Sequence, residues 1–298
     1  MSTAISSPVA QANGKGTVGA TFKKKGVASA LTTIGTWVIG LIFIAPVFFM
    51  VLTGFHPEVK ASLNAPQIFA PLTLNGYKQF FGASSGQSPW PFVINSAIAS
   101  IVSTLLVLCF AIPAAYALSV KPVRKWTDVM FFFLSTKFLP AAAGLVPLFV
   151  IARNIGGLNH LWFMVILYMA MNLPIAVWMM RSFLADIPPA LFEAASLDGA
   201  GLIKTLIKVI APIAGPGIAS TSLICFIFSW NELFLVNVLT STSQAQTLPA
   251  FLPSLVTSQA LFLGKLCAAA TAVSLPVLIA GFAAQDKLVQ GLSLGAVK

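Results

Sequence analysis

Apolar positions gather into six blocks along the chain, and polar residues mark the gaps between them. The blocks run roughly from Leu31 to Leu52, Phe92 to Leu118, Val129 to Ala152, Leu161 to Met180, Ile213 to Leu239 and Gly264 to Ala284. About 20 consecutive apolar residues in a helix cross the hydrocarbon core of a bilayer. A helix satisfies its own backbone hydrogen bonds in lipid, so each block predicts a membrane-spanning helix. The expected fold is all-α: a polytopic membrane protein with six transmembrane helices. An even number of crossings puts both termini on the same side.

Composition agrees with this. Of 298 residues, 58% are hydrophobic and 8% charged, against about 25% charged in soluble domains. The net charge of +10 would suit nucleic acid, but the basic residues sit at the ends of apolar blocks and form no aromatic-interleaved patch. They act instead as orientation signals toward membrane lipid. With the N-terminus inside, the inner segments hold Lys15, Lys23, Lys24, Lys25, Lys121, Arg124, Lys125, Arg181, Lys204, Lys208, Lys287 and Lys298. The outer ones hold Lys60, Lys78, Arg153 and Lys265. That bias predicts cytoplasmic N- and C-termini. Cys109, Cys225 and Cys267 all lie in apolar blocks, which gives neither a disulfide framework nor metal-ligand spacing.

Residues 1–28 read as a disordered cytoplasmic tail and 29–298 as the transmembrane domain. The first apolar block is too long for a signal-peptide core and is read as a retained span. Within the domain, 53–91 and 240–262 are outer loops, 182–212 an inner loop and 285–298 a cytoplasmic tail. The outer loop 240–262 carries no charged residue.

The inner loop contains the stretch EAASLDGAGLIKTLIKVIAP, Glu193 to Pro212. Pro188 and Pro189 suit a helix start, and Asp186 suits the positive end of its dipole. Gly199 suits a left-handed C-terminal cap. A second piece, Leu202 to Ile210, carries Lys204 and Lys208 one turn apart and is expected to lie along the membrane surface. Pro212, Gly215 and Pro216 then break the backbone. The small residues Ala194, Ala195, Gly199 and Ala200 let another backbone approach, and Glu193 can pair with a partner's cation. A plain amphipathic connector would have the same pattern.

The stretch resembles the EAA motif of ATP-binding cassette importer permeases. Glu193-Ala194-Ala195, Gly199, Val209 and Ala211-Pro212 follow it, with Val209 and Ala211 where isoleucine and leucine are usual. Asp198-Gly199-Ala200 resembles the carbohydrate-uptake branch. Trp230-Asn231-Glu232, Thr247-Leu248-Pro249 and the tail Gly291 to Lys298 extend the likeness. The nearest similarity is to the shorter, six-span permease of maltose-type importers. The resemblance implies an inner-membrane permease subunit without catalysis of its own, paired with a homologous second permease, an ATPase subunit dimer and a periplasmic or extracellular solute-binding protein. It implies that Glu193, Ala194, Ala195, Asp198, Gly199 and Ala200 form a coupling helix docked on the ATPase. It also implies that the loop 240–262, with Ser243, Gln244, Gln246 and Thr247, reaches the binding protein. The sequence lacks a Gly-x-x-x-x-Gly-Lys-[Ser/Thr] loop, so no cofactor is expected in this chain, and ATP and Mg belong to the partner ATPase.

Polar residues inside spans are candidates for the solute path, because each is costly in lipid. Asn172 fits a pathway role and helix–helix hydrogen bonding equally. Lys137 fits either the path or snorkelling to the cytoplasmic face. Asn231 and Glu232 fit a gate or an interfacial cluster beside Trp230. An ion-coupled secondary transporter is the alternative, although Glu232 is the one acid within a block and no inverted repeat is evident.

Overall fold

Backbone that crosses lipid has to close its hydrogen bonds within the segment, and helices account for nearly all regular structure in a computed structural model of the chain. It describes residues 27–61, 68–82, 88–120, 123–138, 141–256 and 262–296, and no strand occurs among them. The expected tail 1–28 lies outside these residues except for Val27 and Ala28, which open the first helix instead of extending the tail. The chain divides into two units, Met1–Val47 and Phe48–Lys298. In the first, helix α1 (Val27–Gly54) begins and exposes apolar side chains on every side, Leu31, Trp37, Ile42 and Phe43 among them. Such all-round hydrophobicity belongs in lipid or against another protein.

The second unit continues α1 and adds α2 (Glu58–Ala61), α3 (Asn75–Phe81), α4 (Trp90–Ser119), α5 (Trp126–Ser135), α6 (Ala141–Asn154) and α7 (Leu161–Ala185). It goes on with α8 (Pro189–Leu197), α9 (Leu202–Thr205), a π-turn at Leu206–Ile210, α10 (Ala211–Ile213) and α11 (Gly215–Trp230). Finally come α12 (Phe234–Leu239), α13 (Leu248–Phe251), a 3-10 turn at Leu252–Leu255 and α14 (Leu263–Ala296). Among the described residues four helices are long and apolar enough to cross a membrane, α1 over Ala30–Gly54, α4, α7 and α14 over Leu263–Asp286, and the bent pair Leu202–Ile213 and Gly215–Trp230 together would make a fifth.

The third and fifth apolar blocks do not form single helices, contrary to expectation. The third divides into α5 and α6. Ser135 and Thr136 turn their hydroxyls onto the carbonyls of Phe132 and Phe133, which competes with helix continuation. The fifth divides at Asn231–Leu233. Asn231 donates its amide to Ile227 O at 2.8 Å. The Glu232 carboxylate then starts α12 by accepting from Leu235 N at 2.9 Å and Val236 N at 3.3 Å. The C-terminal helix runs on to Ala296, past the expected end of its span, because nothing between Gln285 and Ala296 breaks a helix as proline would.

The core is built by α4, α7, α11 and α14. The α4 face turned inward carries Ser96, Ala99, Ser100, Ser103, Val107, Ala111 and Ala115. Small side chains at helical spacing let neighbouring backbones come close, which is how membrane helices associate without a hydrophobic driving force. Arg181 on α7 lies over the Trp126 ring at 3.8 Å and donates to Leu118 O, so the ends of α4 and α7 and the start of α5 are together. At the other end Asn95 of α4 and Asn159, just before α7, both bond the segment after α12. Thus α4 and α7 run parallel, and α5–α6 carries the chain back between their opposite ends.

Candidate functional site

The most explicit local structure lies at the end where α4 and α7 finish. After α7, Pro188 and Pro189 open α8, while Asp186 closes α7 as its C-cap. The expected placing of Asp186 at the dipole of the following helix therefore gives way to the end of the preceding one, because Pro188, extended at ψ 131°, separates the two helices. Helix α8 ends in a Schellman cap. Ala200 N bonds Ala195 O at 2.9 Å, Gly199 N bonds Ser196 O at 3.1 Å, and Gly199 has φ +68°. That left-handed conformation favours glycine. A Cβ at Gly199 would meet no atom, so the requirement is conformational and not steric.

Helix α8 has two faces. Phe192 and Ala195 are buried against the body, whereas Glu193, Ala194, Ser196 and Asp198 are exposed. Leu197 is 89% exposed and Leu191 41%. These two leucines did not stand out in the sequence; their exposure on an otherwise anchored helix is the signal. The Phe192 ring borders two cavities, one of about 280 Å³ shared with Leu184, Ile187 and Glu193, the other of about 340 Å³ shared with Pro113, Tyr116 and Thr205. Beyond Gly199, the Leu202–Ile213 segment turns through 87° into α11. Pro212 removes one backbone donor, and the π-turn Leu206–Ile210, closed by Ala211 N on Leu206 O, absorbs the gap.

Polar residues within the apolar blocks fall in three places. Asn172 is fully buried and donates to Tyr168 O and Ser229 Oγ, both at 3.0 Å. Ser229 in turn meets Ser103 Oγ at 3.1 Å. This chain ties α7, α11 and α4 together. Asn231 is exposed and Glu232 half-buried, its carboxylate turned to the start of α12. Trp230 next to them donates to Val273 O of α14 at 3.1 Å.

Lys137 occupies the break between α5 and α6. Its ammonium reaches across to α7 and donates to the Met171 carbonyl. A cavity of about 570 Å³ lies here, lined by Thr136, Lys137, Gly144, Ala170, Met171 and Pro174, with Phe138 and leucines completing it. Asn172 does not line it, so Lys137 and Asn172 are not brought together in one space.

The segment after α12 is fastened at close intervals. Asn159, with φ +57°, accepts from Ser241 N and Thr242 N and donates to Thr242 Oγ1 at 2.7 Å. Asn95 donates to Ser243 O and Gln246 O, each at 2.9 Å, and Ser96 Oγ accepts from Leu248 N at 2.7 Å. Gln244 is exposed, Ser243 and Gln246 are half-buried, and Thr247 is 1% exposed. In this conformation Thr247 cannot offer its side chain to another protein.

Comparison with known proteins places this arrangement. The family model of the binding-protein-dependent transport system inner membrane component matches residues 107–293. The chain is 34% identical over 268 residues to a probable ABC transporter permease protein, y4oR, of Sinorhizobium fredii, covering 90% of this chain and 95% of that one. It is 32% identical over 260 residues to the diacetylchitobiose uptake system permease protein DasC of Streptomyces coelicolor, covering 87% and 93%. It is 28% identical to the trehalose/maltose transport system permease protein MalG of Thermococcus litoralis, covering 90% and 96%. Its fold matches a chain of a bacterial ABC transporter involved in the import of the acidic polysaccharide alginate, with TM-score 0.73 and 21% identity over 89% of this chain and 98% of that one. None of these likenesses points to an ion-coupled secondary transporter.

Proposed function

Because the chain belongs to the family of binding-protein-dependent transport system inner membrane components, we propose that it forms half of the translocation path for a carbohydrate or polyol and couples closure of an ATPase dimer to alternating access. It is a multi-pass permease subunit of an ATP-binding cassette importer in the bacterial inner membrane, and such importers work with an ATPase and a solute-binding protein. In our reading it pairs with a homologous second permease, crosses the membrane six times with both termini in the cytoplasm, and leaves ATP and Mg to the ATPase subunits. Helices α5–α6 and α11–α12 count as one broken span each.

The observation that carries the coupling role is α8: a short helix anchored by Phe192, closed by a left-handed glycine, with Glu193 and a bare Leu197 turned outward. An exposed apolar residue beside an acid, on a helix whose other face is fixed, suits docking into a cleft of a partner. The sugars named for the relatives DasC and MalG support the substrate class.

The test is uptake in proteoliposomes holding the assembled importer and its binding protein, offered trehalose, diacetylchitobiose and mannitol. Uptake should need ATP and the binding protein and should persist when ion gradients are collapsed. Uptake driven by a gradient without ATP would overturn the assignment.

A further inference from the structure

We propose that the cavity between the α5–α6 break and the Pro174 segment of α7 is a solute-binding station on this subunit, where the Lys137 ammonium and the Ala170 carbonyl together take hydroxyl groups of a polyhydroxylated solute. The proposal rests on the carbohydrate reading and deepens it by assigning the contact to this chain.

Three observations lead there. First, Lys137 sits in the third apolar block yet is exposed on the isolated subunit. Ionisable side chains inside spans almost always face the bundle interior or a water-filled space. Among the described residues its ammonium meets no carboxylate, only the Met171 carbonyl. An ammonium carries three donors, so two remain for another partner. Secondly, Pro174 lacks the N–H that would bond the carbonyl four residues earlier, which is Ala170. That residue lines the same cavity. The donor and the residue that carries the freed acceptor therefore border one space, and a hydroxyl is both acceptor and donor. Thirdly, the space is about 570 Å³, within the range of small-molecule sites. Its remaining lining is largely apolar, from Phe138, Leu148, Leu167 and Leu235, which suits the C–H faces of a sugar or polyol. Gly144 adds room, since a Cβ there would meet only Leu148 Cδ1 at 4.0 Å.

The break that forms the station also holds it open. With the chain turning at Thr136–Phe138, Lys137 leaves the helix axis and reaches α7 sideways. A continuous helix through this block would have carried the ammonium along its own surface.

Two measurements on the complete importer test this, using trehalose, diacetylchitobiose and mannitol as probes. Lys137→Met should raise the uptake KM about tenfold, the loss expected for a hydrogen bond to a charged donor. Gly144→Cys, in a background without the three native cysteines, should react with a small charged methanethiosulfonate and react more slowly in the presence of the transported probe. The labelling experiment decides alone where Lys137→Met does not assemble. An unchanged KM, a fall in maximal rate only, or labelling indifferent to the probe overturns the station. If the unmodified importer carries none of the three probes, the carbohydrate reading falls and this proposal with it. If it carries one of them and protection is absent, the station alone falls.

Discussion

The Phe192 ring of α8 meets the Tyr116 ring of α4 edge-on, with centroids 6.0 Å apart and planes at 69°. Tyr116 stands one turn past Pro113, and both line the cavity beside Phe192. If α8 docks on the ATPase as proposed, a push on it would reach α4 through this ring pair, just beyond the point where Pro113 leaves α4 without a backbone donor. Since α4 packs along α7 and α11, displacement there is felt by the whole core.

Phe192→Ala should therefore lower uptake more than it lowers ATP hydrolysis. An edge-to-face pair contributes about 0.5–1.5 kcal/mol beyond its burial, so a drop of roughly two- to tenfold in transport per ATP is expected, with Phe192→Tyr close to normal. Measuring uptake and hydrolysis on the same proteoliposomes checks the ratio; an unchanged ratio would remove Phe192 from the relay.

Substitutions at Gly199 should rank by their tolerance of φ +68°. Asn is mildest, Ala costs roughly 1–2 kcal/mol, and Pro, fixed near −65°, is worst. Copurification of the ATPase with each variant should fall in that order. Leu197→Glu should weaken it as well, without affecting insertion. Equal recovery of the ATPase with all four variants contradicts a docking role for α8.

Glu58 accepts from Gly264 N at 3.1 Å and Lys265 N at 3.2 Å, and so satisfies the first turn of α14 from the far side of the sequence. Glu58→Ala should cost about 0.5–2 kcal/mol, the range for lost N-terminal caps. A lower melting temperature in detergent, with Glu58→Gln between the two, is the expected result.

Removing Ser243 to Gln246 takes away both carbonyls that Asn95 holds. This deletion should reduce the amount of assembled protein, whereas Gln244→Ala, exposed and free of those anchors, should leave the amount normal. If Gln244 touches the binding protein, its variant lowers uptake at full protein level; normal uptake would make the segment a structural strap.

Orientation is open to a direct check. In a cysteine-free background, Cys at Ser254 should react with an impermeant maleimide from outside, and Cys at Ser196, exposed beside Glu193, only after permeabilisation. The reverse pattern would invert the charge-derived topology.

The class of fold, the positions of the apolar blocks and the glycine that closes α8 were legible in the order of residues alone. Each follows from short-range physics: about 20 apolar residues must become helix in lipid, and a left-handed cap after a helical run calls for glycine. The family resemblance was legible in the same stretch. Packing in three dimensions sets the rest: the third and fifth blocks are broken, Asn172 turns toward Ser229 while Lys137 turns toward Met171, Phe192 is the inward anchor of α8, and Glu58 caps a helix 206 residues further along the chain. Hydropathy averages over a window and cannot register a hydroxyl bonding back to its own helix. Nor can it say which face of α7 meets α4, because that depends on small residues of α4, α7 and α11 packing together at once.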